Sequence, residues 1–101
     1  MNPIKENFTV SAKLIGGEEA EIIVELMREK HAELQIDDNG AYWSLTINHS
    51  ALVFDMNEIS EAMGHDYRVT NFLTILASYK GEIDVHDDGV VIKEFAPAQG
   101  V

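Results

Sequence analysis

Four histidines, His31, His49, His65 and His86, are the side chains here best suited to hold a transition metal. Their spacing argues against it: no two stand four residues apart, and no His-Glu-x-x-His run occurs. Each sits where a helix end or turn is expected, which favours solvated or capping roles. Asp84-x-His86-x-Asp88-Gly89 echoes the opening of a calcium loop, but the third ligand position is His and the twelfth is Phe95. An oxygen ligand and a bidentate Glu are needed there, so turn chemistry explains these residues better. Ser44, Ser50, Ser60 and Ser78 lie in no Gly-x-Ser-x-Gly or Ser-x-x-Lys context. The glycines mark turns and helix stops and lack phosphate-loop spacing. Carboxylate pairs such as Asp37-Asp38 are weak evidence for acid–base catalysis in a chain this acidic. Residue types and spacing define no active site and no cofactor site.

Two features are less ordinary. Tyr42-Trp43 places large aromatics on opposite faces of one strand. Trp43 is expected in the core, which leaves Tyr42 outside as a possible partner anchor. Leu76-Ala77-Ser78-Tyr79-Lys80-Gly81 reads as the end of a helix with Gly as its stop. Its small residues also suit a low-relief surface that another backbone can approach, although on chemistry alone the plain helix end is favoured.

These residues must be positioned by one domain. The chain has 101 residues, enough to bury one core, and such a length removes roughly 60–65% of the unfolded surface from water. Cysteine is absent, so disulfides, thiolate metal sites and cysteine nucleophiles are excluded together. Eighteen acidic against seven basic residues give a net charge of −11. That argues against nucleic-acid or anionic-membrane binding, which needs clustered Lys and Arg. No apolar run approaches a membrane span, and the N-terminus has no signal-peptide core. A soluble, cytoplasmic protein is expected, with no flexible linker to divide it.

Phe8, Val10, Ala12 and Leu14 alternate with Thr9, Ser11 and Lys13, as in a half-buried strand. From Glu18 to Leu34 the period becomes helical, with Ile22, Ile23, Leu26, Met27 and Lys30 at three- and four-residue steps. Acidic residues open that segment and Arg28, Lys30 and His31 close it, matching a helix dipole. Leu34–Ile36, Trp43–Ile47 and Ala51–Phe54 read as three strands. Asn39-Gly40 forms a hairpin turn between the first two, and Asn48-His49-Ser50 turns the chain into the third. An antiparallel meander under the helix is the expectation. Asp55 and Glu58 form a capping box, and Gly64 ends that second helix. Thr70 is expected to cap a third helix carrying Phe72, Leu73, Leu76 and Tyr79. Strands over Glu82–Val85 and Val90–Phe95 close the fold, joined by Asp87-Asp88-Gly89. The reading is a compact α+β single domain over 1–101, in β-α-β-β-β-α-α-β-β order. It comprises two helix-plus-antiparallel-strand halves, with 1–7 and 97–101 as flexible tails.

Ile36 to Phe95 resembles the small effector proteins of bacterial multicomponent diiron monooxygenases, also called coupling or regulatory components. The resemblance is carried by Asp37-Asp38-Asn39-Gly40-Ala41-Tyr42-Trp43, Glu58-Ile59-Ser60-Glu61-Ala62-Met63-Gly64 and Tyr67-Arg68-Val69-Thr70-Asn71-Phe72-Leu73. The Tyr-Trp pair and the Glu-Ile-Ser-Glu run look closest to the methane and propane branch. The family often has Arg where this chain has Asn39 and His65, and only about seven residues precede the first strand, which favours a propane- or short-chain-type system. The resemblance implies a cofactor-free, non-catalytic protein that docks on a diiron hydroxylase and regulates access of substrate, oxygen and electrons. By position, Ala77, Ser78 and Tyr79 match the family's hydroxylase-facing helix end. Asn71 and Thr74 lie on the same element, and Tyr42 is a second contact.

A small α/β regulatory domain that binds a metabolite between helix and sheet is the alternative, and it requires an apolar pocket with converging polar groups. A small metal enzyme built on the histidines ranks third.

Overall fold

A computed structural model describes residues 9–95. The predicted strand start at Phe8 and the expected tails, 1–7 and 97–101, lie outside them. Strand β1 (Thr9–Ile15) buries Val10, Ala12 and Leu14 and turns Lys13 and Ile15 to solvent. Helix α1 (Glu18–Lys30) follows, with three glutamates in its first turn and Arg28 and Lys30 in its last, each favourable against the helix dipole. Ala20, Ile23, Val24 and Met27 form its buried stripe, one turn apart as a 3.6-residue period dictates.

The helix ends four residues before the predicted Leu34. His31 adopts an extended conformation, and its N–H still donates to Met27 O at 3.0 Å. Leaving the helix there lets Leu34 and Ile36 enter from the next segment and pack on the core. Strands β2 (Gln35–Asp38) and β3 (Tyr42–Asn48) form the expected hairpin. Its turn is held by Asp38 Oδ1 accepting the Gly40 N–H at 3.0 Å and by Asn39 Oδ1 accepting the Tyr42 N–H at 2.9 Å. Gly40 there has a φ of 94°, a conformation that favours glycine.

The expected meander is not formed. The free edge of β3 pairs with β1, in antiparallel register from Thr9↔Asn48 to Ile15↔Tyr42. Strand β4 (Leu52–Asp55) therefore enters a different sheet. Asp55 caps helix α2 (Met56–Met63) as predicted, its carboxylate accepting the Asn57 and Glu58 N–H groups at 2.8 and 3.2 Å. The return half of the expected capping box is replaced by a bond from the Lys30 ammonium to Glu58 Oε1 at 2.8 Å. Gly64 closes α2 in the left-handed conformation, also as predicted.

Helix α3 (Val69–Ile75) is capped at Arg68 rather than Thr70, with Asn71 Oδ1 accepting the Arg68 N–H at 3.0 Å. It is also shorter than expected. Leu76 turns extended, and Leu76–Lys80 is strand β5. The α+β class and the predicted succession hold, with this one strand added. Strands β6 (Glu82–His86) and β7 (Gly89–Lys93) follow.

Two antiparallel sheets result, one ordered β2-β3-β1-β5 and the other β4-β7-β6. Their inner faces share one core, in which Phe54 and Phe72 pack with ring centroids 4.7 Å apart. Burial of each large side chain there contributes about 1.5–3 kcal/mol. The chain crosses between the sheets at Gly81, whose φ is 129°. A Cβ there would lie 2.6 Å from Lys93 O, so no other residue fits without displacing backbone.

Candidate functional site

The residues assigned to partner binding fall on three surfaces. Tyr42 opens β3 on the face turned away from the core, 38% exposed and directly opposite Ile15, itself 44% exposed. Ser78 of β5 lies on that same face, paired with Lys13, which pairs in turn with Ser44. The next row is Lys80, Ser11 and Thr46. Short hydroxyl side chains thus separate the projecting Lys13 and Lys80 on this face. The segment expected to end a helix with a low-relief surface is therefore the edge strand of a sheet, and its open face carries projecting side chains.

Tyr79 is opposite Ala12 and so belongs to the core side of the sheet, reaching solvent because β5 is an edge strand. Ser78 and Tyr79, expected side by side on a helix, point to opposite faces. Ala77 is the extra residue where the register jumps from Lys13↔Ser78 to Leu14↔Leu76, a β-bulge that bends the edge strand. Asn71 and Thr74 lie on α3. Both are exposed, yet their polar groups are engaged in finishing the helix: Asn71 Oδ1 caps it, and Thr74 Oγ1 donates to Asn71 O at 2.7 Å. The structure thus joins Tyr42 with Ser78 and separates Tyr79, Asn71 and Thr74 from them. Lys13, Lys80 and Ile15 share the open face but were not singled out from sequence. The signal was the polar alternation Thr9, Ser11, Lys13, which marks an outward face.

Other groups capable of chemistry are committed to structure. Ser60 Oγ accepts the Tyr67 N–H at 2.8 Å and donates to Tyr67 O at 3.2 Å, pinning the loop after α2. The buried Tyr67 hydroxyl donates to Glu19 Oε1 at 3.0 Å. Burial first, and then the bonded Glu19 carboxylate, push its pKa well above the ordinary tyrosine range, so it keeps its proton at neutral pH. Asp84 of the calcium-like run is paired with Lys93 at 3.0 Å, and Asp88 O accepts the Met56 N–H. Among the described residues no cluster of three or more His, Asp or Glu side chains is arranged to hold a metal. A cavity of about 580 Å³ lies beside these loops, lined mainly by polar residues including Asp66, Arg68, Asp87 and Asp88. It lies among loops and helix ends and not between a helix and a sheet, where the metabolite alternative places its pocket. No described helix is long and apolar enough to cross a membrane.

A family model described as MmoB/DmpM matches residues 8–93. Two solved structures share the fold. One is a chain from a phenol hydroxylase–regulatory protein complex, 19% identical, with a TM-score of 0.75, covering 84% of this chain and 97% of that one. The other is the soluble methane monooxygenase regulatory protein B, 22% identical, with a TM-score of 0.66, covering 93% of this chain and 70% of that one. Comparison with curated proteins gave no match.

Proposed function

The chain belongs to the MmoB/DmpM family, and from that premise we propose that it is the non-catalytic effector of a multicomponent diiron monooxygenase. The observation that carries this reading is the family match, which spans nearly all of the described fold. One solved neighbour is a monooxygenase regulatory protein and the other comes from a hydroxylase–regulatory protein complex, which supports a hydroxylase as the partner. Within the proposal, residues 1–101 act as one effector domain in the cytoplasm. The protein binds the hydroxylase and favours one of its conformational states by binding that state more tightly. Access of substrate, oxygen and electrons to the partner's diiron centre changes as a result. Tyr42-Trp43 and Glu58-Ile59-Ser60-Glu61 favour an alkane system of propane or methane type. Tyr42, Asn71, Thr74, Ala77, Ser78 and Tyr79 are the proposed partner contacts.

The test is propane oxidation by a matching hydroxylase and reductase, with and without this protein. A saturable rise in rate, or a change in regioselectivity, near one equivalent per active site is expected. Saturating addition with neither change would overturn the effector role. Stimulation of a phenol hydroxylase instead would move the protein to the aromatic branch.

A further inference from the structure

Seven Lys and Arg residues serve eighteen carboxylates in this chain, so an unpaired cation is the exception that needs a reason. Lys5 lies outside the described residues. Arg28, Lys30, Arg68 and Lys93 each have a carboxylate within 4 Å: Glu25, Glu58, Asp66 and Asp84. Lys13 and Lys80 have none among the described residues, and both project from the open face of the four-stranded sheet. Lys13 pairs with Ser78 and Lys80 stands two residues beyond it, a diagonal relation that sets their backbone positions roughly 7–8 Å apart. Their nearest register partners are Ser11, Ser44 and Ser78; the acid nearest in register is Asp37 of β2, which pairs with Ser44 and stands two strands from Lys13 in the same row without forming an ion pair with it. Immediately beside the Lys13 row stands the Ile15–Tyr42 pair, two large apolar side chains left in solvent on the same face.

We infer that this face docks an acidic patch on a protein partner, with Lys13 and Lys80 as its electrostatic contacts and Ile15 and Tyr42 as its apolar anchor. The inference rests on the effector reading, and it specifies the hydroxylase surface that would be met: carboxylates bordering an apolar recess. Overall charge favours a folded protein over a long polyanion. The remaining acidic surface would repel a uniform polyanion, whereas a local acidic patch needs to reach only two lysines.

The experiment measures affinity for the hydroxylase, and its stimulation, for four proteins: wild type, K13E/K80E, K13M/K80M and R28E/K93E. The last makes the same change in net charge elsewhere on the surface, and thermal melts confirm that each variant is folded. Affinity is expected to fall about tenfold or more for K13E/K80E, less for K13M/K80M, and little for R28E/K93E. Equal losses in both charge reversals would show an effect of net charge alone and overturn the inference. Unchanged affinity of K13E/K80E, with stimulation intact, would overturn it while leaving the effector role standing. A wild type that neither binds nor stimulates would remove the effector role and this inference with it. Dimerisation of the isolated protein that these lysine substitutions abolish would assign the face to a second copy instead.

Discussion

The two sheets each leave a face open to solvent, and they treat its charges in opposite ways. On the three-stranded sheet Lys93 is directly opposite Glu82 and diagonal to Asp84, with its ammonium 3.0 Å from the Asp84 carboxylate. On the four-stranded sheet Lys13 and Lys80 face serines, and the one acid in their rows, Asp37 of β2, stands a strand further away beyond Ser44. Both faces also carry apolar side chains, but Val53 of β4 stands apart from any aromatic residue in its row, paired with Val91, whereas Ile15 is paired with Tyr42. The first face is complete as a solvated surface. Among the described residues, the second leaves its two lysines without an ion pair and its Ile15–Tyr42 pair in solvent. Since both are built from the same acidic chain, composition does not account for the difference; it lies in which residues the registers bring opposite one another.

The comparison is broken most severely at Gly81, where the chain passes from one sheet to the other. Its would-be Cβ meets Lys93 O of β7 at 2.6 Å and Val10 of β1 at 3.2 Å, so the two sheets close together only around a residue without one. Gly81→Ala combines an unfavourable positive φ with this clash, at a cost of about 3 kcal/mol or more. Thermal denaturation should show a loss upwards of about 10 °C for a domain this size. Docking should decline only in proportion to the unfolded fraction. A melting temperature within a degree or two of wild type would mean that the sheets tolerate separation at this point.

A smaller effect is expected at Tyr67, whose bond to Glu19 links the loop after α2 to the first turn of α1. Tyr67→Phe keeps the buried ring and removes one hydrogen bond, for a loss of about 1 kcal/mol. The sign of its pH dependence follows from the raised pKa. The folded state favours the protonated phenol, so this contribution is complete below the unfolded-state value of about 10 and is lost as pH rises beyond it. The stability difference between wild type and Tyr67→Phe should therefore be flat from pH 6 to 9 and shrink above. Equal hydroxylase affinity for the two proteins would sharpen the contrast, by showing that the open sheet face works independently of this link. A difference that grows with alkaline pH would contradict the assigned cause.

Local signals were legible in the sequence, and long-range pairings were not. The Asp55 cap, the Gly64 stop and the Asn39-Gly40 hairpin are decided within a few residues, and each stands where residue chemistry put it. The meander failed because the partner of β3 is β1, more than thirty residues earlier. Strand β5 failed for a related reason. Phe72, Leu73, Leu76 and Tyr79 fit a helical period, and only the edge of β1, some sixty residues away, draws Leu76–Lys80 into a strand. That single change reorganises the candidate site, since a helix groups Ser78 with Tyr79 and a strand divides them. Tyr42 was legible because alternation beside Trp43 requires one aromatic to face out. The open lysines were not, because a charge without an ion pair shows only once the registers set each described carboxylate against its neighbours.

The finest test uses the lysine that is already satisfied. Lys93 is held by the Asp84 carboxylate, which raises its ammonium pKa through a hydrogen bond and opposite charge, with Glu82 adding to the effect. The pair is on the surface, where ordering two mobile side chains and screening by salt offset most of the attraction. Lys93→Met should leave the melting temperature almost unchanged at moderate salt and hydroxylase affinity unchanged throughout. It removes one positive charge, as Lys13→Met does, and both positions lie on open sheet faces. If the two substitutions weaken docking equally, position is irrelevant and the contrast between the faces has no functional content. If only Lys13→Met does so, a cation counts towards docking when its own fold has left it unpaired, whatever its contribution to net charge.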